Sequence, residues 1–193
     1  MAGFGEKVKG FLVSPVSTFQ EVKEEDLGSA VKYFIVLALV FSILWAIIFA
    51  AIGSTITSFM PTNMLPFGAA MGLVGAVVLF ITLIVGLIVG LFIGGAILHI
   101  FVYIVGGRKG YAQTVKAIAY GETPALLLGW IPLIGPVFSI WALILGILGI
   151  RELHEISTGR AVLAVLLPAI IIGITVAIAA TLYVFSAGML STP

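Results

Sequence analysis

The sequence predicts an all-α integral membrane protein, a bundle of five transmembrane helices preceded by amphipathic helices at the cytoplasmic membrane surface. Three observations predict it. Of 193 residues, 62% are hydrophobic and only 9% charged, against about 25% charged in soluble domains. The apolar residues come in runs long enough to cross a bilayer, which takes roughly 20 residues. Every Lys and Arg falls in the first 32 residues, in Arg108–Lys116 or in Arg151–Arg160. So few charges on a soluble surface would leave large apolar patches in water, so the lipid bilayer is the first partner. A net charge of +1 gives no footprint for nucleic acid. The absence of cysteine excludes disulfides, thiolate metal sites and palmitoylation.

Residues 1–30 read as a cytoplasmic interfacial segment, and 31–193 as the membrane domain. Phe4, Val8, Phe11 and Leu12 recur at helical spacing beside Glu6, Lys7 and Lys9, one apolar stripe on a polar helix. Ser14-Pro15 resembles a helix start, and Val16 and Phe19 begin a second stripe opposite Glu21, Glu24 and Glu25. Both predict helices lying in the headgroup boundary. Acids mixed with lysines and the lack of an apolar core exclude a cleavable signal peptide here.

The spans fall at about 32–52, 71–105, 112–130, 135–150 and 161–186. The run from Met71 to Val105 carries no charge, and is too long for one perpendicular crossing yet short for two. Charge decides it. With one long, tilted helix there, the three charged regions share one face. The uncharged connections at 53–70 and 131–135 and the tail SAGMLSTP share the other. The positive-inside rule puts the charged face and the N-terminus in the cytoplasm of a multi-pass cell-membrane protein, with the C-terminus outside.

Small residues recur every fourth position: Ala38, Ser42, Ala46, Ala50; Gly86, Gly90, Gly94; Ala169, Gly173, Ala177, Thr181. Another row joins Ser139, Ala142, Gly146 and Gly149. Apolar bulk does little to drive helices together in lipid, so close backbone contact sorts them. These stripes are expected to turn inward. The Gly86–Gly94 stripe alternatively offers a homo-oligomer seam, or one for another membrane protein.

Little else carries chemistry. There is no cofactor motif, no metal-ligand set and no paired nucleophile and base, so no enzyme is expected. His154-Glu155 begins like a zinc-protease helix, but Thr158 stands where the second ligand belongs. Arg108 and Lys109, in a glycine-rich turn, are placed to meet lipid headgroups. Glu122 is the only charge between Lys116 and Arg151. A span beginning near Gln113 puts it about 13 Å deep in a core of about 30 Å. A charge there costs on the order of 2.5–3.5 kcal/mol, which favours a neutral, hydrogen-bonded acid. Pro124 removes a backbone donor and frees the Tyr120 carbonyl, so Tyr120, Glu122, Thr123 and Pro124 form an intramembrane polar site. His99, about 9 Å deep by the same rise, is a partner for Glu122 if their faces oppose. That pair would read as a proton or ion relay, the local alternative being helix packing.

From Gly106 onward the chain resembles the Yip domain family, five-span Ypt/Rab-interacting-type membrane proteins. The resemblance rests on the turn Gly106–Gly110, the Ala119-Tyr120…Pro124 element, Ile140-Trp141, the run Gly149–His154, then Arg160-Ala161 and Pro168. The SP…TF element at 14–19 is similar to the prokaryotic branch. The resemblance implies a non-enzymatic membrane-organising or partner-recruiting scaffold, with a small transporter or channel using Glu122 and His99 as the alternative. Eukaryotic relatives bind small GTPases through a long N-terminal region. The short one here, lacking an Asp-Leu-Tyr-Gly-Pro element, does not support GTPase binding.

Overall fold

A computed structural model describes the backbone of residues 3–59 and 73–190, and their side chains except those of 53–59, 169, 172 and 182–190. The described residues are all-helical. Phe4–Val13 (α1) and Pro15–Glu21 (α2) form a small helical corner. Leu27–Phe59 (α3) and Leu73–Ile104 (α4) follow. Tyr111–Gly121 (α5) and Thr123–Leu128 (α6) lead to Gly135–His154 (α7) and Thr158–Leu190 (α8). Segment 71–105 is thus one long helix from Leu73. The connection 60–72 and the last residues of the tail lie outside the described residues.

Among the described residues, four helices are long and apolar enough to cross a membrane: α3, α4, α7 and α8. The expected span at 112–130 is not one of them. It breaks at Glu122 into helices of 11 and 6 residues, because Pro124 has no N–H and interrupts the ladder.

Two short helices form at the N-terminus, and Phe11 and Phe19 are turned onto the bundle, whereas Phe4 of the same stripe is exposed. Phe11, Phe19 and Val22 are buried in the same core as Tyr33, Phe34, Ala117, Tyr120 and Ile150. Glycine opens the seat. A Cβ at Gly149 of α7 would stand 2.8 Å from the Phe19 ring and 3.1 Å from Ala117. Asp26 starts α3 by accepting the Ser29 N–H at 3.0 Å and the Ser29 hydroxyl at 2.6 Å.

The small-residue stripes divide. Ala38 and Ser42 are buried, as are Ala142 and Gly149, so those two rows pack inward over part of their length, while Ala50 and Ser139 are exposed, as are Gly173, Ala177 and Thr181 of the row in α8. Gly86, Gly90 and Gly94 do not: all three are exposed, and a Cβ on any of them would meet nothing within 4 Å. The inward row of α4 includes Leu91, Gly95 and Val102, and a Cβ at Gly95 would stand 3.6 Å from the Tyr111 ring and 3.1 Å from Val115 of α5.

Candidate functional site

The polar groups concentrate at the charged end of the bundle, in two clusters. The first clasps the N-terminal corner. Glu25, in the turn after α2, accepts from the Lys7 ammonium at 2.6 Å and from the Tyr120 hydroxyl at 2.6 Å. Lys7 and Glu25 side chains are only 11% and 8% exposed. Burial alone would push the Glu25 carboxyl up. The Lys7 ammonium and the Tyr120 hydroxyl outweigh it and hold the group below its ordinary value.

Lys116, 2% exposed, donates to the carbonyls of Lys23 and Glu25 at 2.6 and 2.7 Å. Those carbonyls lie past the end of α2 and have no helical partner to take them. Around this polar centre stand five aromatic rings. Phe11 stacks on Tyr120 with centroids 5.0 Å apart and meets Phe19 edge-on at 4.9 Å. Tyr33 lies 5.2 Å from Tyr120 and 5.1 Å from Phe4.

The break below Tyr120 is repaired from within. Thr123 Oγ1 donates to the Tyr120 carbonyl at 2.5 Å, filling the place that Pro124 leaves empty. The single Thr123 proton is thereby spent, so Tyr33 donates to Thr123 Oγ1 at 3.0 Å. Glu122, by contrast, contributes only backbone bonds among the described residues, its N–H to Ile118 and its carbonyl to Leu126, each at 2.9 Å.

The second cluster is built on Thr114. His99 Nδ1 lies 2.8 Å and His154 Nε2 2.9 Å from its hydroxyl oxygen. The rings are 6.0 Å apart, and Tyr111 packs edge-on against His99. His154 Nδ1 is buried without a partner, beside the backbone of Gly107. No group of three or more metal-ligating side chains occurs among the described residues.

An outer ring of ion pairs closes this end. Glu155 accepts from Lys109 at 2.5 Å and from Lys23, which hold its carboxyl down to about 2. Gln20 donates to Glu152 at 3.0 Å.

The Yip1 domain matches residues 9–180 of this chain. The chain belongs to the Yip1 domain family. Neither a curated protein nor a solved structure matches it.

In this Yip1 chain the residues singled out by sequence are distributed differently from the expected arrangement. Tyr120, Thr123 and Pro124 do come together. Glu122 and His99 do not: His99 is bound to Thr114, and Glu122 sits at the junction of α5 and α6. Nor is that junction midway along the first span, since Thr123 is level with Tyr33, next to Lys32. Arg108 lays its guanidinium 3.7 Å from the Tyr103 ring centre and donates to the Gly107 carbonyl at 3.1 Å, while Lys109 is held by Glu155. Local periodicity missed Lys7, Glu25, Thr114, Lys116 and His154. The partners of Lys7 and Lys116 lie 18 and 91–93 residues away. The only local signal was a lysine interrupting an apolar stretch.

Proposed function

We propose that this protein is a non-enzymatic scaffold that organises the membrane or recruits a partner to it, presenting the α1–α2 corner on the cytoplasmic face. The observation that carries this is where the polar groups go. One of the two polar clusters, with the Gln20–Glu152 and Lys23–Glu155 contacts, holds the corner onto the bundle, and the corner's outer side, with Glu6, Lys9, Ser17 and Glu21 exposed, is available for contact. The Yip1 family is not known for an enzymatic activity. The charged stretches gather at one end, which by the positive-inside rule is cytoplasmic, with the C-terminus outside. Five crossings give this arrangement.

The alternative, proton or ion transport, loses its Glu122–His99 pair and would instead run through His99, Thr114 and His154. Proteoliposomes decide between them. The scaffold reading expects proton and potassium flux no greater than in empty vesicles, at any pH. It also expects site-specific cross-linkers at positions 9 and 17, in cells, to give one discrete adduct, with itself or with another membrane protein. A flux abolished by His99→Gln or Glu122→Gln would overturn it.

A further inference from the structure

Between α1 and the start of α3 lies a recess of about 260 Å³, lined by Phe4, Lys7, Ser29, Lys32, Tyr33 and Val36. Most of the polar groups around it are already used. Lys7 pairs with Glu25 at 2.6 Å, so its charge is neutralised. Asp26 accepts the Ser29 N–H and hydroxyl, and Glu6 accepts the Gly3 N–H. Lys32 takes part in none of the ion pairs among the described residues.

That cation is placed where an anion is needed. It is the last formal charge before Arg108, and the apolar face of the bundle extends past it. Ile97, Ile100 and Ile104 of α4 are exposed. His99 bonds Thr114, nine residues and about 13 Å before Thr123 along the chain, and Thr123 bonds Tyr33. The exposed face of α4 thus reaches further toward the charged end than Lys32 does. Hydrocarbon that covers Ile104 brings Lys32 to the membrane boundary or within it, where an unpaired cation is costly.

The recess opens onto an apolar stripe. Val36, Val40, Ile43 and Ile47 are all exposed, at spacings of four, three and four that keep them on one helix face. Ile43 and Ile47 then border the apolar groove shared with Ala76, Val77 and Phe80 of α4. Lys32 to Ile47 is about 22 Å, half of the ~40–45 Å of a whole bilayer and so the length of one phospholipid. The recess itself is smaller than the ~300–1,000 Å³ that encloses a drug-sized molecule. It holds a headgroup and leaves the chains to the stripe.

We infer that this cleft binds one anionic phospholipid, its phosphodiester against the Lys32 ammonium and an acyl chain along Val36, Val40, Ile43 and Ile47. The chemistry selects a single negative charge. Lys32 supplies one unpaired cation, and Asp26, bonded to Ser29, opposes a second negative charge. Ser29 spends its one proton on Asp26 and keeps a lone pair for a headgroup hydroxyl, as in phosphatidylglycerol. A choline headgroup would instead bring another cation beside Lys7 and Lys32. This does not depend on the scaffold function.

The full chain in phosphatidylcholine nanodiscs, doped with phosphatidylglycerol brominated on its acyl chains, tests it. The sequence has no cysteine, so Val40→Cys carries a single fluorophore on the stripe. Quenching should saturate at a lipid fraction about tenfold lower than brominated phosphatidylcholine requires, as one charge-assisted contact predicts. Lys32→Gln should remove that preference and Lys32→Arg should keep it. Lys9→Gln, on the corner's outer side, should leave it unchanged. Equal quenching by the two lipids overturns the inference, and that comparison needs no variant at position 32 to fold. A preference that survives Lys32→Gln overturns it too. Displacement of the brominated lipid by soluble glycerol phosphate would overturn the lipid as occupant and establish a site for a free phosphate ester.

Discussion

The two ends of the bundle are held by different physics. At the charged end, five rings, a buried Lys7–Glu25 pair and two cations on backbone carbonyls and carboxylates fix α1 and α2 to α5 and α7. At the other, the packed helices α3 and α4 leave an open apolar groove of about 310 Å³ between them, lined by residues such as Ile43, Ala46, Ala50, Ala76, Val77 and Phe80. Closing such a gap gains little where lipid tails solvate it as well as a neighbouring helix does. Directional bonding is therefore spent where water and headgroups compete, and the apolar end is left to the bilayer.

The largest test of that contrast is a pair of truncations. Phe19→Ala should cost about 3–5 kcal/mol, since it empties a fully buried site, and should release residues 4–21 to amide exchange. Ile47→Ala, on a face exposed to lipid, should leave thermal stability in lipid unchanged within about 0.5 kcal/mol. Equal effects would mean the ends are held alike.

Next is the buried pair. Lys7→Met leaves Glu25 uncompensated and should cost about 3 kcal/mol, whereas Lys7→Met with Glu25→Leu should recover much of it. A double variant as unstable as the sum of the singles would show that the two charges do not couple.

Acidity should loosen only the charged end. Glu155 and Glu25 are both held below the ordinary carboxylate value of 4.5. Their contribution is therefore fully present above about 4.5 and lost as pH falls towards about 2 for Glu155. Lys23 is shifted the other way, raised above 10.5 by Glu155, so its share disappears only as pH rises past that value. Protection of α1 and α2 should stay flat from pH 5 to about 10 and drop below 4.5. In Glu155→Gln the remaining acid transition should shrink to that of Glu25.

Much of this was legible in the sequence, and unevenly. The family was legible as a resemblance in the motifs from Gly106 onward, while the all-helical class, the long helix after Leu73 and the positions of the two N-terminal helices follow from composition, periodicity and charge placement, which are local properties. The break at Pro124 also followed, because proline acts on its own backbone. What could not be read was partnership. Lys7 looked like a solvated charge, Lys116 like the edge of a basic turn, and Gly86–Gly94 like an inward seam. Each depends on an element distant in the chain. The segment 112–130 was read as one helix because its hydropathy does not register how the break at Glu122 divides it.

The smallest expected effect concerns the residue the sequence made most conspicuous. Glu122 offers only its backbone to the structure around it, whereas its neighbour Thr123 joins Tyr33 to the freed Tyr120 carbonyl. Replacing Glu122 by Gln should therefore shift stability by less than about 0.5 kcal/mol, in the range of substitutions that touch no network. Thr123→Val keeps the shape but strands the Tyr120 carbonyl and the Tyr33 hydroxyl, at about 1–3 kcal/mol. Thermal unfolding of both variants in the same lipid measures the difference. If Glu122→Gln proved the more damaging, its carboxyl would have a partner that the contrast between the two ends leaves out, and the charged end would extend deeper into the bundle than Tyr33.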